Sequence, residues 1–215
     1  MDRSLKLSEK LFCLAVNPKK GGIVLNASAT LSMTLTGTVI VELMKMNLIL
    51  IKKGFIHVAA SGSTNDEIYD FFLKPLKTRE RGRKIRAWIS WFSARGRKIQ
   101  RLFTSNLIRK GILRLEERRF LFIPYTKVCL SDHELVEEIR KELETALLGV
   151  DLPTEETVVL AMMVAKSNLM RRVFPLRKQR REAIRNLKKL PETQVSKAVQ
   201  NAIQMMQAAV YAVAT

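Results

Sequence analysis

Apolar residues in this chain recur three and four positions apart in segment after segment, and only an α-helix places residues so spaced on one face. Leu7, Leu11, Leu14 and Ala15 do so first, then Leu35, Val39, Leu43 and Met46, then Ile85, Trp88, Ile89 and Phe92, and then Ile99, Leu102, Phe103 and Leu107. The spacing predicts helices within residues 5–16, 32–47 and 83–94, and another after Gly96 that Lys110 and Gly111 close with a cation and a glycine. Thr64 with Glu67, and Ser131 with Glu134, have the spacing of capping boxes. They predict helices running to Lys74, before Pro75, and to Gly149. Thr154, followed by Glu155 and Glu156, caps a helix expected to reach Val173, before Pro175. A very basic helix is expected over residues 176–189, and an alanine- and methionine-striped one over residues 195–213.

Two stretches break the helical period. Residues 48–51 and 55–59 flank Lys52, Lys53 and Gly54 as a hairpin, and residues 112–115 and 120–123, joined by 116–119, read as a second. A helix, a turn residue and a hairpin thus occur twice. The second hairpin leaves some of Phe120, Leu121 and Phe122 outward, as a candidate for lipid insertion or for contact with another copy of the chain. The expected fold is mainly α, in a single domain over residues 1–215.

A hydrophobic content of 47% in 215 residues is enough for a core, yet the net charge is +18. The excess is concentrated. Residues 74–119 carry 16 basic against 3 acidic residues and residues 166–189 carry 10 against 1, so the rest of the chain is slightly acidic. One or two basic faces follow, suited to an anionic partner: phospholipid, nucleic acid or an acidic protein tail. Trp88, Trp91 and Phe92 lie inside the first basic segment, with Trp88 assigned to the core by its shared face with Ile85 and Ile89.

Other chemistry has no footing in the sequence. No glycine-rich phosphate loop, nucleophile elbow or metal-ligand cluster is present, His57 and His133 neighbour no nucleophile, and Glu137, Glu138 and Glu142 read as a solvated helix surface. Cys13 and Cys129 sit among apolar neighbours as buried free thiols, which suits a reducing, cytoplasmic compartment. Gly21 and Gly22 read as an ordinary turn. The uncharged stretches 21–41 and 198–215 carry too many hydroxyl and amide groups to span a bilayer, so membrane contact is expected to be peripheral. Neither a catalytic residue, nor a cofactor, nor a metal is expected.

The segments LSEKLFCLAVNPKKGG, TGTVIVELMKMNLILIKKGFIHV, SGSTNDEIYDFF and SNLIRKGILRLEERRFLFIPYTKV resemble the Golgi phosphoprotein 3 family over about residues 5–214. The resemblance implies a central helical bundle with surrounding amphipathic helices, a protruding hairpin at residues 114–123, and non-catalytic, peripheral binding to phosphatidylinositol 4-phosphate. Of the four headgroup positions that it implies, two fall on Ala27 and Thr36, which cannot hold a phosphate, one on Arg97 and one on Gln100. Arg95, Lys98 and Arg101 stand close to Arg97 as substitutes. The functional expectation is an anionic-lipid site at Arg95, Arg97, Lys98 and Arg101 with an apolar anchor at Phe120, Leu121 and Phe122. The alternatives are a winged-helix-like nucleic-acid binder and an adaptor for acidic protein tails. A protein client and self-association through the hairpin are further possible partners.

Overall fold

The computed structural model describes residues 4–60, 62–78, 83–149 and 152–190; the helix expected over residues 195–213 lies outside the described residues. In chain order these form α1 (Leu7–Ala15), α2 (Leu25–Ser28), α3 (Leu31–Lys45), β1 (Ile49–Lys52), β2 (Phe55–Val58), α4 (Glu67–Lys77), α5 (Ile85–Ser93), α6 (Gly96–Arg109), β3 (Leu113–Phe120), β4 (Ile123–Leu130), α7 (His133–Leu148), α8 (Glu155–Lys166), α9 (Met170–Val173) and α10 (Arg177–Lys189). The protein is mainly α, with two antiparallel strand pairs as its only described sheets.

The helix starts show why two capping boxes failed. Asp66, not Thr64, caps α4, its carboxylate accepting from the N–H groups of Ile68 and Tyr69 at 3.0 Å. Asp132, not Ser131, caps α7 by accepting from Leu135 N–H at 3.0 Å. A charged carboxylate is a stronger acceptor at the positive end of a helix than a hydroxyl one or two residues earlier. Thr64 turns its hydroxyl to Asp70 instead, at 2.8 Å, and the Ser63 hydroxyl and the Thr64 backbone N–H hold the Asp70 carboxyl below its ordinary range. Thr154 caps α8 as expected.

Three helix ends also differ from expectation. Pro75 lies inside the last turn of α4 rather than beyond it, at the cost of a single backbone bond. Asn168, in the left-handed conformation with φ 59°, stops α8 at Lys166, so that residues 155–173 form two helices instead of one. Met46 falls just past α3 and is 47% exposed rather than part of the buried stripe. The short α2 had no sequence signal.

The described residues divide into two compact units, one ending at Leu31 and resuming at Phe103, the other running from Ser32 to Leu102. In the first, α1 packs on α7 and α8, and α10 covers both of these. Phe12 stacks on Phe103 with ring centroids 5.5 Å apart. Glu9 is completely buried here, and a buried carboxylate is tolerated only when its oxygens are fully satisfied. Both oxygens accept from Lys110 Nζ at 2.7 Å, and Asn106 Nδ2 and the Lys6 N–H donate as well. Glu142, expected on a solvated face, accepts from Lys10 Nζ at 2.7 Å and from Thr157 Oγ1 at 2.8 Å.

The turn between α1 and α2 is pinned to the base of β4. Gly22 N–H donates to Val128 O, and a Cβ on Gly21 would collide with Cys129 Sγ and the same carbonyl. With φ at +67° as well, position 21 admits only glycine. Cys13 and Cys129 are both buried free thiols, and burial pushes the Cys13 thiol up to about 12.

In the second unit α3 is buried along most of its length, and β2 lies on α4. Phe71, Phe72, Trp88, Trp91 and Phe92 form one aromatic cluster, its closest pair being Phe72 and Phe92 at 4.5 Å. Trp88 and Phe92 are core residues, and rings buried this fully contribute about 2–3 kcal/mol each. Backbone bonds from Ile56 N to Arg83 O and from Ile85 N to Gly54 O tie the first hairpin to the start of α5.

Candidate functional site

Two features stand out, one in each unit. In the second unit, α5 and α6 are separated only by Ala94 and Arg95, and Gly96 lets the start of α6 approach Ser32 so closely that a Cβ would displace the serine side chain. Ile99 and Phe103 bury one side of α6, which leaves Arg97, Lys98 and Arg101 on its outer side, all exposed. The first turn of α6 contains no acid. Cations there face the positive end of the helix dipole, an arrangement that an anion relieves and that unpaired backbone N–H groups also favour.

The flanking side chains hold this cluster in place. The Arg95 guanidinium stacks 3.5 Å above the Trp91 ring and donates from Nη1 to Trp91 O at 2.8 Å. Lys98 Nζ lies 5.3 Å from the Phe71 ring centre. Among the described residues no carboxylate pairs with Arg95, Arg97, Lys98 or Arg101. The four cations expected to act together are therefore neighbours, and the sequence offered no sign that Trp91 and Phe71 would support them.

The remaining expected headgroup positions behave differently. Thr36 is buried on α3, its hydroxyl donating to Ser32 O at 2.7 Å, and Ala27 is buried in α2. Gln100 is half-buried beside the cationic side of α6. Several cations of the first basic segment already have acidic partners: Lys110 pairs with Glu9, and Arg114 and Arg118 share Glu116. Hydrogen bonds from Arg118 first, then Cys129 and Arg114, lower the Glu116 carboxyl to about 2.

The second feature is the hairpin of the first unit. Its strands are eight residues long, pairing Leu113 with Leu130 through to Phe120 with Ile123, so the expected loop at residues 116–119 is strand and the turn is Leu121 and Phe122. The hairpin thus spans residues 113–130 rather than 114–123. Burial falls away along β4 from Leu130 to Ile123, and at the tip Leu121 is 75% exposed and Phe122 96%. Phe120 closes the last strand pair, but its side chain lies outside what the structure describes. Ile123, which the sequence reading did not single out, is exposed beside them. Leu121 and Phe122 both have positive φ, 46° and 69°, which costs a bulky residue about 1–2 kcal/mol.

Among the described residues there is no group of three His, Cys, Asp or Glu side chains placed to hold a metal ion, and no helix long and apolar enough to cross a membrane. The fold and these two features define a mainly helical chain with an apolar hairpin tip in one unit and, in the other, a cationic helix start to which no carboxylate pairs among the described residues. The sequence profile of Golgi phosphoprotein 3 (GPP34) matches residues 7–206, and the chain belongs to that family. A search of curated proteins returned no match.

Proposed function

We propose that the chain is a non-catalytic, peripheral membrane-docking domain acting at a cytoplasmic membrane surface. It holds an anionic phospholipid headgroup of the phosphatidylinositol 4-phosphate type at the start of α6. Arg97 and Arg101 present guanidinium forks to phosphate oxygens, Lys98 adds a point charge, and Arg95 is held ready on Trp91. Leu121 and Phe122 enter the acyl boundary as an anchor. The observation that carries this reading is the acid-free first turn of α6, around which Arg95, Arg97, Lys98 and Arg101 gather with no carboxylate paired to them among the described residues. Membership of the Golgi phosphoprotein 3 family supports it. With Ala27 and Thr36 buried, recognition rests on phosphate charge more than on the shape of the inositol ring.

Flotation with neutral, phosphatidylserine and phosphatidylinositol 4-phosphate vesicles tests this, beside DNA and RNA shift assays at the same salt. Arg97→Gln with Arg101→Gln should weaken binding to the charged vesicles by roughly tenfold or more, at about 1 kcal/mol for each cation. Binding to nucleic acid with no preference for charged over neutral vesicles would refute the proposal.

A further inference from the structure

The helix α10 turns a second basic face outward. Ala183 and Leu187 form its buried side, set toward α7 and α8. Arg177, Lys178, Arg181, Arg185, Lys188 and Lys189 are all exposed, with Glu182 the one acid of the helix. At 3.6 residues per turn these cations share one side, and Arg177, Arg181 and Arg185 rise in steps of about 6 Å along it. Arg180 stands apart, donating to Phe174 O and Pro175 O at 3.0 and 3.2 Å and so fixing the start of the helix.

Two observations make this face more than a solvated surface. Among the described residues no carboxylate pairs with Arg177, Lys178, Arg181 or Arg185, whereas Arg114, Arg118 and Arg140 all have acidic partners. The same four cations, with Glu182, line an open depression of about 580 Å³. The depression is open to solvent along its length, so it suits a charged group presented at a surface rather than one enclosed in a cleft. Glu182 supplies an acceptor for a headgroup hydroxyl or ammonium. A single-stranded nucleic acid is a poorer match, because α10 carries no aromatic side chain on which bases could stack.

We infer that the exposed face of α10 is a second contact for anionic membrane lipid, gripping headgroup phosphates by charge in addition to the site at the start of α6. The inference rests on the membrane reading above.

The full chain carrying Arg177→Gln, Arg181→Gln and Arg185→Gln is compared with the unsubstituted chain and with the Arg97→Gln, Arg101→Gln variant on phosphatidylserine and phosphatidylcholine vesicles, with circular dichroism confirming the helical content of each. One cation at an anionic bilayer is equivalent to roughly fivefold in binding, so the triple variant should bind phosphatidylserine vesicles about 100-fold more weakly. A triple Arg→Lys variant should stay within about threefold of the unsubstituted chain, as contact by charge requires. Unchanged vesicle binding by the triple Gln variant, with the Arg97 and Arg101 variant impaired, overturns this inference and leaves the proposed function standing. Loss of DNA or RNA binding alone in the triple variant also overturns it, and failure of the unsubstituted chain to bind any charged vesicle overturns both readings.

Discussion

The two hairpins begin alike and end differently. Each follows a helix closed by a residue in the left-handed conformation, Asn47 after α3 and Gly111 after α6. In both the same pair of backbone bonds makes the closure, Leu48 N to Leu43 O with Asn47 N to Met44 O, and Ile112 N to Leu107 O with Gly111 N to Ile108 O. The first hairpin then has four-residue strands tied to α5, and it turns through Lys53 and Gly54. The second runs eight residues on each strand and turns through Leu121 and Phe122. Glycine is at ease with positive φ, whereas leucine and phenylalanine are not. The first turn has glycine at one of its two positive-φ positions and Lys53, at φ 50°, in the other, while the second fills both with bulky apolar residues that solvent surrounds.

The largest effect expected from this contrast is on membrane binding. Leu121→Asp with Phe122→Asp should lower partitioning onto anionic vesicles about 100-fold, since burying each side chain is worth about 1.5 kcal/mol or more. Lys53→Gln, at the other tip, should change it only a few-fold. Equal losses would erase the distinction between the hairpins. A smaller effect of opposite sign is expected in urea denaturation. Leu121→Asn with Phe122→Gly relieves the turn and should raise stability by about 1–2 kcal/mol, whereas Gly54→Ala, at φ +79°, should lower it by about 1 kcal/mol. If the relieved turn gave no gain, strain at the second tip would be disproved.

The smallest effect lies in acid. Glu116 has its carboxyl lowered to about 2 by Arg118, Cys129 and Arg114. A depressed carboxylate contributes stability that is present above its unfolded value, near 4.5, and is lost as pH falls through about 2. NMR titration should show the amides of residues 114–118 shifting with a midpoint near 2. β1 and β2 contain no carboxylate, so their amides should not follow. A Glu116 midpoint above 4 would show that the ion pairs on the long hairpin do not form in solution.

The same contrast explains what could be read from the chain in advance. Where one side of an element is buried, as in α5 and α6, periodicity located it within a few residues. On the projecting hairpin both faces of the strands meet water, so alternation carried no signal and Glu116 to Arg119 resembled a charged loop. The cations at the start of α6 were legible because local spacing alone brings them together. The paired ones were not, because Lys110 meets Glu9 only through tertiary packing, and Arg114, Glu116 and Arg118, though spaced to share one strand face, were read as running from a strand into a loop. The purpose of Gly21 was hidden for the same reason, since Cys129 lies beside it only once the chain has folded.

The carboxylate of Glu9 also orders events in time. Its side-chain donors stand 97 and 101 residues further on, at Asn106 and Lys110. During synthesis α1 emerges before α6, yet the buried Glu9 lacks these donors until residues 106–110 have been made. Assembly of that unit therefore waits on the middle of the polypeptide, and a chain halted before residue 110 would expose Leu11, Phe12 and Leu14 to chaperones and proteases rather than store them in a half-built core.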